Sequence, residues 1–332
     1  MITSFKAFMV DKVNDQFTAQ IKRIEMEDLP ESDVIIRVAY SSINYKDGLA
    51  SIPNGKIVQS YPFIPGIDMA GTVVNSKSPA FKKGDKVIAT SYGIGVSHYG
   101  GYSEYASIPS EWLVPLPSNL SFKEAMAYGT AGFTAALSIY RLQENGLTPD
   151  KGPVLVTGAT GGVGSIAVAI LSKLKYYVVA STGKESEYDY LRFLGAKEVI
   201  SRSELTHESV RPLEKQRWAG AVDPVGGETL VSVLSHIHYN GSVAVSGLTG
   251  GSKLNTTVFP FILRGINLLG IDSVFCPMEK RLKIWEKIAN DWKPDTLSST
   301  IGQEISLEEL PENLKTILKG QFRGRTIVNV EE

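Results

Sequence analysis

The sequence predicts an α/β protein in two parts: a strand-rich amino-terminal part, then a doubly wound parallel sheet. Three observations carry this. At 332 residues the chain exceeds the roughly 250–300 at which a single core stops growing, so two domains are expected. Residues 1 to about 110 read as short β-rich runs broken by turns. From Pro153 onward apolar strands alternate with helical stripes and glycine turns, the rhythm of right-handed strand–helix–strand crossovers.

The elements follow in order. Val34-Ile-Ile-Arg-Val-Ala-Tyr and Gly71-Thr-Val-Val-Asn are β-rich, and Lys83-Gly-Asp-Lys-Val-Ile-Ala is a turn feeding a strand. Ser121, followed three residues on by Glu124, opens a helix as a capping box. Its apolar run extends to about Gln143, with Gly146 as the stop and Pro149 beyond. In the second part, strands are expected at Val154–Thr157, Tyr176–Ala180, Glu198–Ser201, Ala219–Asp223, Ser242–Ser246 and Asn267–Ile271. Helices are expected at Gly164–Lys173 and Glu187–Leu194, the latter ending at Gly195. After about Val274 come amphipathic helices near Arg281–Asn290 and after Ser306-Leu-Glu-Glu, then a strand at Thr326–Val330. There is no internal repeat and no low-complexity segment.

Composition narrows the function classes. Hydrophobic residues make up 43% and charged residues 21%, ordinary globular values. A net charge of −1 provides no general attraction to nucleic acid or an acidic membrane, so neither is an expected partner. Cys276 is the only cysteine, so the chain forms no internal disulfide and lacks the thiolates of a structural zinc site. Met1-Ile-Thr-Ser-Phe-Lys lacks the layout of a signal peptide, and no apolar run reaches the ~20 residues that span a bilayer. A cytoplasmic location is the expectation.

The sharpest local signal is Val154-Leu-Val-Thr-Gly-Ala-Thr-Gly-Gly-Val-Gly-Ser-Ile-Ala, a glycine-rich turn between a buried strand and a helix. Gly161 and Gly162 let the backbone approach a diphosphate, and Gly164 lets the helix pack closely on the strand. With Thr160 and Val163 they form the start of a helix whose amides face an anion. Ala159 stands where the usual fingerprint begins with glycine. A site for NAD carries an acidic residue about 20 positions on. Here Ser181 and Thr182, followed by Gly183 and Lys184, occupy that stretch, with no carboxylate at the strand end. Hydroxyls and a lysine suit the 2′-phosphate of NADPH, and Arg202 is available to stack on adenine or reach the same phosphate. Taken singly, Lys184 and Arg202 also fit solvated surface cations.

Asn44-Tyr-Lys-Asp, Pro65-Gly-Ile-Asp-Met-Ala-Gly, Gly100-Gly-Tyr-Ser-Glu-Tyr-Ala, Gly129-Thr-Ala-Gly-Phe-Thr-Ala, the glycine turn and Asp223-Pro-Val-Gly-Gly follow one another along the chain. In these motifs, which run over essentially its whole length, the chain resembles the medium-chain dehydrogenase/reductase superfamily. Within it the resemblance is to the zinc-free quinone-oxidoreductase branch and its acrylyl-CoA reductase-like group. This implies a GroES-like, partly open β-barrel at 1–125, completed by 276–332, and a Rossmann NADP-binding domain at 126–275. It also implies an active site in the cleft and a homodimer joined through the nucleotide domains. Zinc-dependent relatives have a Gly-His-Glu run where this chain has Gly66-Ile67-Asp68, and no cysteine occurs before Cys276. No metal is therefore expected. His236 and His238 are the only close histidine pair and lack a third ligand nearby.

The resemblance implies hydride transfer from nicotinamide C4 to an activated C=C bond of a small α,β-unsaturated carbonyl compound, acrylyl-CoA among them. It makes Tyr45 the candidate for contacting the nicotinamide or substrate carbonyl and for donating the proton, with Asn44 and Asp47 orienting neighbouring groups. Asn44 and Asp47 are equally well explained as a helix cap with an acidic first turn, and Tyr45 also fits plain aromatic packing. By the same carry-over Thr130 approaches the nicotinamide ribose or phosphate, and Leu248 and Ile262 flank the cofactor. Ser273 lies near the carboxamide, and Arg323 on the returning segment closes over the cofactor. Leu248 and Ile262 also fit core packing, Ser273 a strand-end hydroxyl, and Arg323 a surface cation. Tyr92, Tyr99 and Phe275 fit either the substrate cleft or domain packing. Quinone or enone reduction, and a non-catalytic NADPH-binding or sensor protein, are the alternative functions.

Overall fold

The computed structural model describes residues 3–206 and 211–331. In chain order the first elements are β1 (Ser4–Val13), β2 (Gln16–Glu25), β3 (Val34–Ile43), α1 (Tyr45–Ala50), β4 (Asp68–Ser76), β5 (Lys86–Thr90), β6 (Tyr105–Ile108) and β7 (Leu113–Pro115). Next come α2 (Phe122–Glu144), β8 (Val154–Val156), α3 (Gly162–Lys173), β9 (Val178–Thr182), α4 (Tyr188–Phe193) and β10 (Glu198–Ser201). β11 (Trp218–Asp223), α5 (Gly227–His236), β12 (Ile237–Val245), α6 (Phe259–Arg264) and β13 (Asn267–Gly270) follow. The last are α7 (Met278–Ala289), β14 (Ile301–Ser306), α8 (Leu310–Leu318) and β15 (Arg325–Asn329). The chain divides into two compact units. One comprises Met1–Thr130, Val274–Ala289 and Ile301–Glu332; the other comprises Ala131–Ser273 and Asn290–Thr300.

The first unit holds a β1–β2 hairpin and a seven-stranded sheet in the order β14-β15-β3-β4-β5-β7, with β6 also pairing β3. Asn14 and Asp15 turn the hairpin with φ of 49° and 62°, the left-handed pair that a tight two-residue turn requires. Its core is continuous through Phe5, Phe8, Ile36, Ile64, Tyr102 and Leu314. The returning strand β15 pairs antiparallel with β3, Ile327 opposite Ser42 and Thr326 opposite Ile43. This brings the end of the chain beside the start of α1. α1 in turn packs on α8 at Gly48, where a β-carbon would lie 2.8 Å from Ile317 Cγ2.

The second unit is a six-stranded parallel sheet in the order β10-β9-β8-β11-β12-β13. β8, β9 and β11 are buried along their whole lengths, as strands covered by helices on both faces must be. From β8 the chain winds outward through β9 and β10; from β11 it winds the opposite way through β12 and β13. The winding thus reverses between β8 and β11. Ligands of such sheets bind beyond the carboxyl ends of the strands at that reversal.

Three expectations change. The helix expected from Ser121 to about Gln143 is broken at Gly129, which takes φ 50° and ψ −155°. The strand expected at Tyr176–Ala180 begins two residues later. The Tyr176 amide bonds Leu171 O at 3.0 Å and closes the end of α3 instead. β12 starts at Ile237 rather than near Ser242, with a register shift against β11 that absorbs the extra residues. The Ser121–Glu124 capping box is present, with Ser121 N bonded to Glu124 Oε2 at 2.8 Å and Glu124 N to Ser121 Oγ at 3.2 Å.

Candidate active site

The glycine turn sits at the reversal point of the parallel sheet. Gly158 leaves β8 with φ 54°, and its carbonyl accepts the Gly161 amide at 3.0 Å. A β-carbon on Gly164 would lie 2.4 Å from Gly158 O and 2.7 Å from Ala159 Cα, so only glycine lets α3 descend onto the strand. One on Gly161 would meet only Gly158 O, at 3.3 Å. The left-handed residue of the turn is Gly158, while Ala159 is buried and its amide bonds Ser181 O at 3.0 Å. The first-turn amides of α3, those of Gly162, Val163 and Gly164, have no acceptor within the helix and lie at the positive end of its dipole. Gly161, Gly162 and Val163 are half-buried, Gly164 and Thr160 buried. Asp223, ending β11, accepts the Thr157 hydroxyl and, at 2.8 Å, the Gly226 amide, tying the two reversal-point strands together. Burial pushes the Asp223 carboxyl above its usual range.

At the end of β9, Thr182 Oγ1 accepts the Lys184 amide at 3.1 Å and lies 3.4 Å from Thr160 Oγ1. Ser181 and Thr182 are both buried. The accessible polar groups are therefore Gly183, the half-buried Lys184 and the exposed Arg202. The Arg202 guanidinium lies against Gly183, whose β-carbon would come within 3.1 Å of Arg202 Cζ. Arg202 forms no ion pair among the described residues. The turn, the reversal point and this cationic end form a cradle that fits a phosphorylated dinucleotide.

The first unit contains a buried polar centre that sequence reading did not assemble. Asp68 accepts Ser42 Oγ at 2.6 Å, Asn44 Nδ2 at 2.7 Å, Thr130 N at 2.9 Å and Thr130 Oγ1 at 2.5 Å. Arg325, 3% exposed, donates Nε to Ala127 O at 3.2 Å and Nη1 to Ile43 O and Asn44 Oδ1 at 3.2 and 3.1 Å. Its Nη2 donates to Ser42 Oγ at 2.7 Å and stands 3.6 Å from Asp68 Oδ2. A β-carbon on Gly129 would collide with Asp68, Ser42 and Arg325, so only glycine serves at the break in α2. Burial lowers the Arg325 pKa, while Asp68 and Asp47 act to raise it.

Asn44 precedes α1, and its amide donates to Asp47 Oδ2 at 2.8 Å. Asp47 is fully buried, and its other oxygen accepts the Ile67 amide at 3.0 Å. Desolvation, reinforced by Asp68, pushes its carboxyl up to about 7. Asn44 and Asp47 are thus a cap and an internal brace, and Tyr45, the first residue of α1, is left 47% exposed. Thr130 spends its amide and hydroxyl on Asp68, and its hydroxyl also contacts Ser91 Oγ at 3.0 Å. Leu248 and Ile262 are not core residues: they are 66% and 68% exposed. Leu248 lies near Gly226 in the loop following β12, and Ile262 lies on α6. Ser273 accepts Thr134 Oγ1 at 2.8 Å, and Arg323 is exposed. Tyr92 is absorbed in packing, stacked on Trp112 with its hydroxyl on Cys276 O at 3.2 Å, and Tyr99 packs edge-on against Phe63. Phe275 is exposed.

Zinc does not fit these residues. Position 67 is isoleucine, both Asp68 oxygens are engaged, and no group of three His, Cys, Asp or Glu side chains able to hold a metal occurs among the described residues. His236 Nδ1 bonds Ser232 O at 2.8 Å and its ring packs on Trp218.

The fold and cradle define a dinucleotide-binding α/β protein. Its sequence matches the alcohol dehydrogenase GroES-like domain over residues 30–118 and the zinc-binding dehydrogenase family over 162–290. It is 50% identical over 328 residues to acrylyl-CoA reductase AcuI of Ruegeria pomeroyi, covering 98% of this chain and 99% of that one. The crystal structure of Bacillus subtilis YhfP with NAD bound matches with a TM-score of 0.97 at 60% identity, over 99% of this chain and 100% of that one. The YhdH oxidoreductase of Salmonella enterica in complex with NADP matches with a TM-score of 0.95 at 45% identity, over 98% and 99%. The chain belongs to the medium-chain dehydrogenase/reductase superfamily, in the group that contains these proteins.

Proposed function

We propose that this protein is an NADPH-dependent, zinc-independent reductase of activated C=C bonds in small α,β-unsaturated carbonyl compounds, with acrylyl-CoA as the leading acceptor. The observation that carries the reading is the glycine turn at the sheet reversal together with the Gly183–Arg202 corner. The turn suits a diphosphate, and the corner suits a 2′-phosphate where a carboxylate would repel it. The NADP complex of the YhdH relative and the name of the AcuI relative support cofactor and acceptor.

When bound, NADPH supplies a hydride to the β-carbon of the acceptor. The protein's own task is to position the reactants, stabilise the oxyanion that develops on the carbonyl oxygen and deliver a proton to the α-carbon. Tyr45 is assigned the contact to nicotinamide or carbonyl and the proton, its phenol being exposed on the first residue of α1. Asn44 and Asp47 orient it. Thr160, Gly161, Gly162, Val163 and Gly164 hold the diphosphate. Gly183, Lys184 and Arg202 take the 2′-phosphate, with Ser181 and Thr182 shaping the strand end beneath. Thr130, Leu248, Ile262, Ser273 and Arg323 are assigned to the nicotinamide half. The unit of Met1–Thr130, Val274–Ala289 and Ile301–Glu332 is assigned as the catalytic domain, and that of Ala131–Ser273 and Asn290–Thr300 as the nucleotide domain.

A cytoplasmic homodimer is part of the same proposal. The lone buried cysteine fits a reducing compartment, and no helix among the described residues is long and apolar enough to cross a membrane. Val258, Phe259 and Leu263 are all exposed at α6, a row that a second copy would cover.

The test is loss of nicotinamide absorbance on mixing protein, NADPH and acrylyl-CoA, repeated with simple quinones. Turnover with the thioester is expected. Turnover with quinones alone would replace the acceptor, and tight NADPH binding with no turnover on either would make the protein a sensor.

A further inference from the structure

We propose that the buried Asp68–Arg325 pair is the positioning device of the reductase, holding the Ile43–Asn44 junction so that Tyr45 is presented in one fixed orientation. The proposal rests on the reading above for its kinetic arm alone. Four chain segments meet on this pair: the end of β3, the start of β4, the residues flanking the break in α2, and β15. The guanidinium donates to Ile43 O and Asn44 Oδ1, the backbone and side chain immediately ahead of Tyr45. The carboxylate takes the other side of the same asparagine through Nδ2 at 2.7 Å. Asn44 is thereby held by its amide oxygen and its amide nitrogen at once, and its rotamer is fixed by two groups of opposite charge.

The same carboxylate holds Thr130 by amide and hydroxyl, and Gly129 adopts a left-handed conformation that a side chain would oppose. A single salt bridge thus sets both the residue before Tyr45 and Thr130. α1 is only six residues long, so it cannot fix its own entry angle by helical cooperativity and depends on this anchor. Both side chains are buried, so the pair touches no substrate; it acts through Asn44 and Thr130.

Three variants separate positioning from simple charge balance. Asp68→Asn or Arg325→Met leaves the other charge buried and unpaired, and either alone is expected to lower the melting temperature. The double variant Asp68→Asn/Arg325→Met removes both charges of the pair and lacks the directed bonds. Positioning predicts that the double variant recovers much of the lost melting temperature while kcat stays down by roughly tenfold or more. The Tyr45–Asp47 amides should exchange hydrogen faster than in the parent. A folded double variant with parental kcat and parental exchange at these amides would overturn the proposal. Should the double variant not fold, Arg325→Lys keeps the charge but cannot make both Nη1 bonds. Parental kcat and exchange in that variant would equally overturn it. If the parent turns over no acceptor, the function reading fails on its own, and the exchange measurement still decides the positioning role.

Discussion

Among single residues, Asp47 gives the sharpest thermodynamic consequence. Its carboxyl is raised from 3.8 to about 7, first by burial and then by Asp68, so between those values the folded chain binds more protons than the unfolded one. Stability from this group is therefore present at acid pH and declines as pH rises towards 7, by on the order of a few kcal/mol. Asp47→Asn should flatten that decline. The difference in melting temperature between pH 5 and pH 8 should be smaller in the variant, and an equal or larger difference would refute the assignment. Gly129 makes a second case. Alanine there must hold φ 50° and place a methyl 2.5 Å from Asp68 Oδ2, so urea denaturation of Gly129→Ala should show a loss of at least about 2 kcal/mol. Asn44 and Asp47 were legible as a cap because their bond is local. The link of both to Asp68 and Arg325 was not, because residues far apart in sequence meet only once β15 lies beside β3. Arg323 and Arg325 are alike in composition; Arg323 precedes β15 and is exposed, whereas Arg325 is the first residue of that strand and is buried.

At the level of elements, the strand–turn–helix unit formed by β8, the glycine turn and α3 makes its own test. Adding a methyl at Gly164 forces it against backbone atoms that cannot give way, at 2.4 and 2.7 Å, whereas at Gly161 it meets one carbonyl oxygen at 3.3 Å. Gly164→Ala should therefore lower both the melting temperature and NADPH affinity. Gly161→Ala should leave the melting temperature near the parent value and weaken NADPH by roughly tenfold, about 1.4 kcal/mol. Unchanged affinity in the folded Gly161→Ala variant would remove the diphosphate from the turn. This unit was readable in advance because parallel strands buried on both faces are short apolar runs, and glycine punctuates each change of direction. β14 was missed for the opposite reason. Ile301-Gly-Gln-Glu-Ile-Ser lies at a sheet edge with three successive exposed residues, so no apolar alternation marks it. The break in α2 was invisible because Gly129 sits inside a largely apolar run, and the groups that crowd it, Asp68, Ser42 and Arg325, come from distant parts of the chain.

For the whole molecule, cofactor choice and assembly are the properties to be tested. Arg202 is exposed and carries no ion pair among the described residues, so replacing it changes ligand binding with little effect on folding. Arg202→Glu should lower the preference for NADPH over NADH by at least about tenfold in kcat/KM, since a carboxylate beside Gly183 repels a 2′-phosphate and accepts a ribose hydroxyl. Assembly depends on a different surface. Val258 precedes α6, and Phe259 and Leu263 lie one helical turn apart on it, all exposed. β13 is the terminal strand of the parallel sheet. An apolar row near an open sheet edge is an aggregation liability in a monomer and a self-complementary patch in a twofold dimer. Sedimentation should therefore give the mass of two chains, and Val258→Lys/Leu263→Lys should give the mass of one. Because neither residue belongs to the glycine turn or the Arg202 corner, NADPH affinity in that variant should remain within about threefold of the parent. A parent that sediments as a single chain would leave this apolar row without the occupant assigned to it.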